Sequence, residues 1–148
     1  GADVALNDRG AAIIKIMEDI VFDRDQVKDF DEIIRLAEKN DINAGWSNPC
    51  FEIWMFAYFG EMPTIRESYI CCERFAEKFE KVTRQKYSKN DRDIYRKLVQ
   101  HGDEEKAIQI AKRCYKKCME DGKIKPSEMW PASIVQQLVK EIRRKVGR

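Results

Sequence analysis

Apolar residues recur along the chain in two rhythms. Ile20-Val21-Phe22 is a short β-branched and aromatic run that stops at Asp23-Arg24-Asp25, the composition of a buried strand. Val27, Phe30, Ile33, Ile34 and Ala37 follow at spacings of three and four with charges between them. That spacing predicts an amphipathic helix ending near Asn40. Ile42-Asn43-Ala44-Gly45-Trp46 reads as a second short strand. Strand, helix and strand in this order make a βαβ unit, whose two strands run parallel.

After residue 50 the rhythm is helical throughout. Phe51 to Phe59 is apolar nearly all round, as in a buried helix. Ile65, Tyr69, Cys72, Phe75, Phe79 and Val82 predict a helix over Thr64 to Arg84, with Thr64 and Glu67 spaced as a capping box. Shorter and longer helices are expected over Asp91 to Val99 and Asp103 to Glu120. Pro126 and Pro131 then punctuate a connection, and a last helix over Ser133 to Val146 is built on Val135, Leu138, Val139 and Ile142. The expected class is α/β: a small parallel βαβ sheet within residues 1–60, followed by a helical part over 61–148 packed on it.

Composition narrows the function. The 148 residues carry 28 Lys and Arg against 26 Asp and Glu, a net charge of +2 that argues against a simple polybasic nucleic-acid binder. The balance is uneven along the chain. Residues 1–52 hold 6 basic and 12 acidic side chains, and residues 53–148 hold 22 and 14. An acidic first part suits a cation and a basic second part suits a polyanion, unless the two parts simply attract each other. No run approaches the roughly 20 apolar residues of a membrane span. Gly1-Ala2-Asp3-Val4 lacks the basic and apolar regions of a signal peptide, so the five cysteines are expected as reduced thiols in a cytoplasm. Cys114 and Cys118 share a helix face, but a zinc site would need two more ligands. Adjacent Cys71 and Cys72 chelate poorly, and small packing residues are the simpler reading.

Two constellations carry candidate chemistry. Asp23 and Asp25 fall at the carboxyl end of the first strand, where parallel sheets bind ligands. Side chains two apart on an extended segment point the same way. Two carboxylates there repel, which a hard divalent cation such as Mg²⁺ or Mn²⁺ relieves; helix capping and solvated loop charge is the alternative. The second is Trp46-Ser47-Asn48-Pro49-Cys50-Phe51-Glu52-Ile53-Trp54. Ser47 or Asn48 can cap the next helix, and Pro49 suits its first turn. Glu52, flanked by Phe51, Ile53 and Trp54, is expected to be buried and therefore to need a partner. A metal shared with Asp23 or Asp25 would supply one, and helix capping is the alternative. Cys50 at a helix start is either an activated thiol or a packed one.

Val21-Phe22-Asp23-Arg24-Asp25, Ile34-Arg35-Leu36-Ala37 and Ser47-Asn48-Pro49-Cys50-Phe51-Glu52-Ile53-Trp54 together resemble the RloB-like family. Lys89-Asn90-Asp91, Ile94-Tyr95, the Ala107 helix, Pro131 and Leu138-Val139 extend the resemblance over roughly residues 19–140. Such proteins lie in bacterial restriction and phage-defence loci and look like members of the TOPRIM superfamily, which uses a glutamate and an Asp-x-Asp pair to hold Mg²⁺ for phosphodiester chemistry. The resemblance implies that Asp23 and Asp25 are metal ligands and catalytic acids. Glu52, a further candidate catalytic acid, and Asn48 match the family's own motif. It departs in one place: the Glu-Gly-x-x-x-Glu type segment that usually opens the family has no counterpart before Asp23. Glu18 and Asp19, the nearest acids there, precede the strand. An α/β part incomplete at its N-terminus is therefore expected.

The implied function is Mg²⁺-dependent hydrolysis of RNA or DNA in an anti-phage defence system. Arg24, Asn48, Arg84, Lys86, Lys89 and Arg92 are candidate nucleic-acid contacts, as is the C-terminal run Lys140, Arg143, Arg144, Lys145 and Arg148. The alternative is a non-catalytic nucleic-acid- or protein-binding subunit of a defence complex. In that case Trp54, Phe56, Tyr58 or Trp130 would be anchors, unless they are core. No Gly-rich phosphate loop occurs, and a single histidine, His101, leaves little room for His-based catalysis.

Overall fold

The computed structural model describes residues 21–24, 28–41 and 44–146. Ile20, Asp25, Val27, Ile42, Asn43 and Arg148 lie outside the described residues, as do Glu18 and Asp19.

Strand β1 (Val21–Asp23), helix α1 (Phe30–Lys39) and strand β2 (Gly45–Asn48) form the expected βαβ unit. The strands are parallel, with Val21 opposite Gly45, Phe22 opposite Trp46 and Asp23 opposite Ser47. Helix α1 buries Phe30 and Ile34. Phe22, Phe30, Trp46 and Tyr115 meet edge-on in series, with centroids 5.7, 5.6 and 6.2 Å apart. This ring arrangement adds about 0.5–1.5 kcal/mol per pair beyond area burial.

Strand β2 runs two residues further than the apolar pattern indicated, to the buried Ser47 and Asn48. Polar residues can sit inside because their hydrogen bonds are made there: the Ser47 and Ser133 hydroxyls are 3.0 Å apart. Ser133 belongs to a third strand, β3 (Ala132–Ser133), that the sequence pattern did not indicate. It pairs antiparallel with β2, making the sheet mixed in the order β1-β2-β3. Two residues between a proline and a helix carry no periodicity to read.

Five helices follow the βαβ unit: α2 (Phe51–Phe56), α3 (Ser68–Thr83), α4 (Ile94–His101), α5 (Glu104–Glu120) and α6 (Val135–Lys145). Helix α2 runs on into a 3₁₀ turn, Ala57–Phe59, and is buried from Glu52 to Phe56. It is the axis of a core that also takes Phe75 and Phe79 from α3, Leu98 from α4, Ala107 and Ala111 from α5, and Val135 and Val139 from α6. Trp54, Phe56 and Tyr58 are core residues; Trp130 is 37% exposed, with the Arg66 guanidinium 6.0 Å from its ring centroid.

The expected capping box does not form. Helix α3 starts at Ser68, its N-cap is Glu67, and no side chain caps it. Ile65 is in the core, and this anchor holds the residues around it as non-helical chain. Helix α4 likewise starts later than indicated, because Asp91 turns the chain by accepting the Asp93 N–H at 2.9 Å. Helix α5 starts as its sequence indicates, with the Asp103 carboxylate accepting the Lys106 N–H at 3.0 Å. Among the described residues, no helix is long and apolar enough to cross a membrane.

Candidate functional site

The carboxyl ends of β1 and β2 lie side by side. Asp23 closes β1 and is only 8% exposed. Beside it β2 ends at Asn48, whose peptide to Pro49 is cis. The Asn48 amide is turned inward, donating to the carbonyls of Pro126 (3.0 Å) and Ser127 (3.2 Å). From α1, Asp31 accepts the Ser127 N–H at 2.8 Å and its hydroxyl at 2.6 Å. One short 3₁₀ turn, Pro126–Glu128, is thus clasped by the end of β2 and the start of α1. Arg24 is exposed and lines a 750 Å³ cleft with Lys28 and Lys125, over Trp46, Tyr115 and Met129. Asp25, the other expected metal ligand, lies outside the described residues.

Glu52 is buried, as its flanking residues indicated, with 3% exposure. The partner it finds is the Tyr87 hydroxyl, which donates to Oε2 at 2.7 Å. The Lys89 ammonium lies 3.6 Å from the same oxygen. Tyr87 is held in turn by Phe75 and Phe79, whose ring centroids are 4.9 and 5.6 Å away. Burial and the Glu52 charge push the Tyr87 hydroxyl well above its ordinary pKa, so it stays a neutral donor. Burial opposes the charge on Lys89, but Glu52, Cys72 and Cys50 together outweigh it and the ammonium is held above its usual value.

Cys50 precedes α2 and lies with its Sγ 3.8 Å from the Sγ of Cys72 on α3. A hydrogen bond with Cys71, burial and the Glu52 charge push the Cys50 thiol far up, against a smaller opposing effect of Cys72. A hydrogen bond with Cys50, burial and Glu52 do the same for Cys72. Of the two readings of Cys50, the packed thiol is the one found. Any lowering by the helix start is outweighed here by burial and neighbouring groups.

The basic candidates do not converge. Lys89 and Arg92 line a 400 Å³ cleft with Trp54, Tyr87, Asp91 and Tyr95, and this cleft shares no lining residue with the one beside Arg24. Arg84 is exposed at the end of α3 with φ of 64°, and Lys86 is exposed just beyond it. Arg143 is drawn to Glu104 and Glu105, while Arg144 and Lys145 pair with Glu141. Sequence reasoning missed Asp31 and the pairing of Cys72 and Tyr87 with the start of α2. Both depend on contacts between distant segments, and no local spacing signals them.

A parallel strand pair ending in a buried acid, with a second buried acid in the first turn of the next helix, defines an α/β protein with its candidate site on the carboxyl edge of the sheet. The chain belongs to the family described as RloB-like protein, which matches it over residues 19–142. No curated protein and no solved structure matches the chain.

Proposed function

We propose that the chain carries out Mg²⁺- or Mn²⁺-dependent hydrolysis of RNA or DNA phosphodiesters as part of an anti-phage defence system, with Asp23 and Asp25 as the metal ligands. The observation that supports this reading is the position of Asp23: a nearly buried carboxylate at the carboxyl end of a parallel pair, in a member of the RloB-like family. Its neighbour across the β1–β2 ladder, Ser47, brings oxygen and not sulfur or imidazole, which suits a hard cation. When bound, the cation supplies a nucleophilic water and neutralises charge on the scissile phosphate.

The chain's own groups do the rest. Arg24, Lys28 and Lys125 give the cleft basic groups for phosphate oxygens, set among the carboxylates of Asp29, Asp31, Glu32 and Glu38. Asn48 positions the edge by gripping the Pro126–Glu128 turn. Glu52 positions Tyr87 and Lys89 on the second cleft. The test is nuclease assay of the full-length protein with Mg²⁺, beside Asp23→Ala of confirmed fold and with Mn²⁺ titrated calorimetrically into both. Loss of both cleavage and Mn²⁺ binding is expected; cleavage that survives Asp23→Ala overturns the mechanism.

The second cleft favours another reading, a nucleic-acid-binding subunit without catalysis. Tyr87 and Tyr95 offer rings for stacking beside Lys89 and Arg92, a combination that suits single strands. That reading expects binding that is indifferent to Mg²⁺ as a cofactor, weakens steeply with salt and falls in Arg92→Ala.

A further inference from the structure

We propose that Cys50, Glu52 and Cys72 form a binding site for a thiophilic divalent cation, zinc by preference, separate from the carboxylate edge of the sheet. Ligand atoms of these three residues lie within 4.8 Å of one another. Two come from the start of α2 and one from α3, so the two elements are already placed for chelation. The spacing suits zinc as well as a thiol–thiol contact. Zinc–sulfur bonds of about 2.3 Å at tetrahedral angles put two sulfurs about 3.8 Å apart. The two Sγ atoms stand 3.8 Å apart. Two thiolates make this a set for zinc and not for Mg²⁺, which separates it in chemistry from the edge at Asp23.

The surroundings complete it. The Tyr87 hydroxyl and the Lys89 ammonium both approach Oε2 of Glu52, fixing the carboxylate from outside as second partners of metal ligands do. Without metal, Cys50 also lies 3.9 Å from the Ser68 carbonyl, which its thiol can reach as a weak donor. Binding releases the two thiol protons to water. The resulting charge of two thiolates, one carboxylate and one divalent cation is −1, and Lys89 neutralises it. Three protein ligands leave the fourth tetrahedral position open.

The inference does not depend on nuclease activity. The test titrates Co²⁺ into the full chain, reduced and stripped with a chelator, and follows the thiolate-to-cobalt charge-transfer band. The wild-type band is expected to saturate at one equivalent of Co²⁺ per chain, with proton release, and to be lost on addition of Zn²⁺. Cys72→Ser should lose the band, and Cys114→Ser/Cys118→Ser should keep it. Tyr87→Phe should keep the band and bind about tenfold more weakly. Asp23→Ala should leave the band unchanged, because carboxylate-bound Co²⁺ gives none. If Cys72→Ser fails to fold, Glu52→Gln keeps both sulfurs and should retain the band with loss of affinity. No band in the wild type overturns the proposal. So does a band that survives Cys72→Ser, or one lost in the Cys114→Ser/Cys118→Ser variant.

Discussion

At the scale of single residues, the sheet edge depends on side chains that satisfy backbone groups. Asn48 is 3% exposed and gives its amide to two carbonyls of the Pro126–Glu128 turn. Asn48→Ala removes both donors and leaves the carbonyls in place, so a loss of about 1–3 kcal/mol is expected in urea unfolding. Asn48→Asp is expected to cost more, since it sets a carboxylate against two carbonyl oxygens. A stability within error of wild type in both variants would show that the clasp contributes nothing. Glu52 shows how far a sequence can be read at this scale. Its burial follows from Phe51, Ile53 and Trp54 beside it, whereas its partner lies 35 positions away and is invisible to any local pattern. The same holds for Cys50, whose neighbour Cys72 is 22 positions on. Spacing placed Cys72 on a helix face and could not say what faced it.

At the scale of elements, amphipathic rhythm located every long helix, and the errors fall where a tertiary contact overrides it. Ile65 draws residues near it out of the helix that Thr64 and Glu67 advertise, because burying an isoleucine is worth about 1.5–3 kcal/mol and a cap about 1. Strand β3 was missed because its place is set by Ser47 and Asn48 across the ladder and by no pattern of its own. The junction between α4 and α5 has a similarly hidden constraint. Gly102 donates its N–H to the Leu98 carbonyl at 2.8 Å, and Asp103 donates to the Tyr58 carbonyl at 2.9 Å. A Cβ on Gly102 would meet the Tyr58 carbonyl oxygen at 2.5 Å and the Leu98 oxygen at 2.9 Å. Both are backbone atoms fixed by helices, so they cannot step aside. Gly102→Ala is therefore expected to destabilise by about 1–3 kcal/mol through overpacking, with a lowered urea midpoint. Gly122→Ala makes a useful contrast, since a Cβ there meets nothing within 4 Å and only its φ of 82° resists the change.

At the scale of the whole molecule, the titratable groups most strongly shifted are neutral acids buried beside carboxylates, and this fixes the pH at which the fold should fail. Burial and Glu104 hold the Tyr58 and Tyr95 hydroxyls well up, and Glu104 accepts from both, at 2.7 and 3.2 Å. Burial raises Tyr115, and burial with Glu52 raises Tyr87. Cys50, Cys72, Cys114 and Cys118 are raised as well, the last two chiefly by burial. A folded-state pKa above the unfolded one means that the folded chain holds its protons more tightly. The stability this contributes is intact below the ordinary thiol and phenol values, about 8.5 and 10, and is lost as pH rises through the folded values. On the acid side the effect is smaller. Burial works against ionisation of Asp91, but hydrogen bonds from Lys97 and the Asp93 N–H outweigh it and hold the group low. That contribution is lost only as pH falls through the folded value, below the ordinary carboxylate range. The urea midpoint is therefore expected to change little from neutrality to about pH 8 and to drop steeply from about pH 9 upward. Tyrosinate absorbance from these buried rings should appear together with unfolding, because a phenolate of Tyr58 would stand against the Glu104 carboxylate in the core. Tyrosinate that grows in gradually above pH 10 while the far-ultraviolet dichroism stays native would show that these hydroxyls reach water in the folded state.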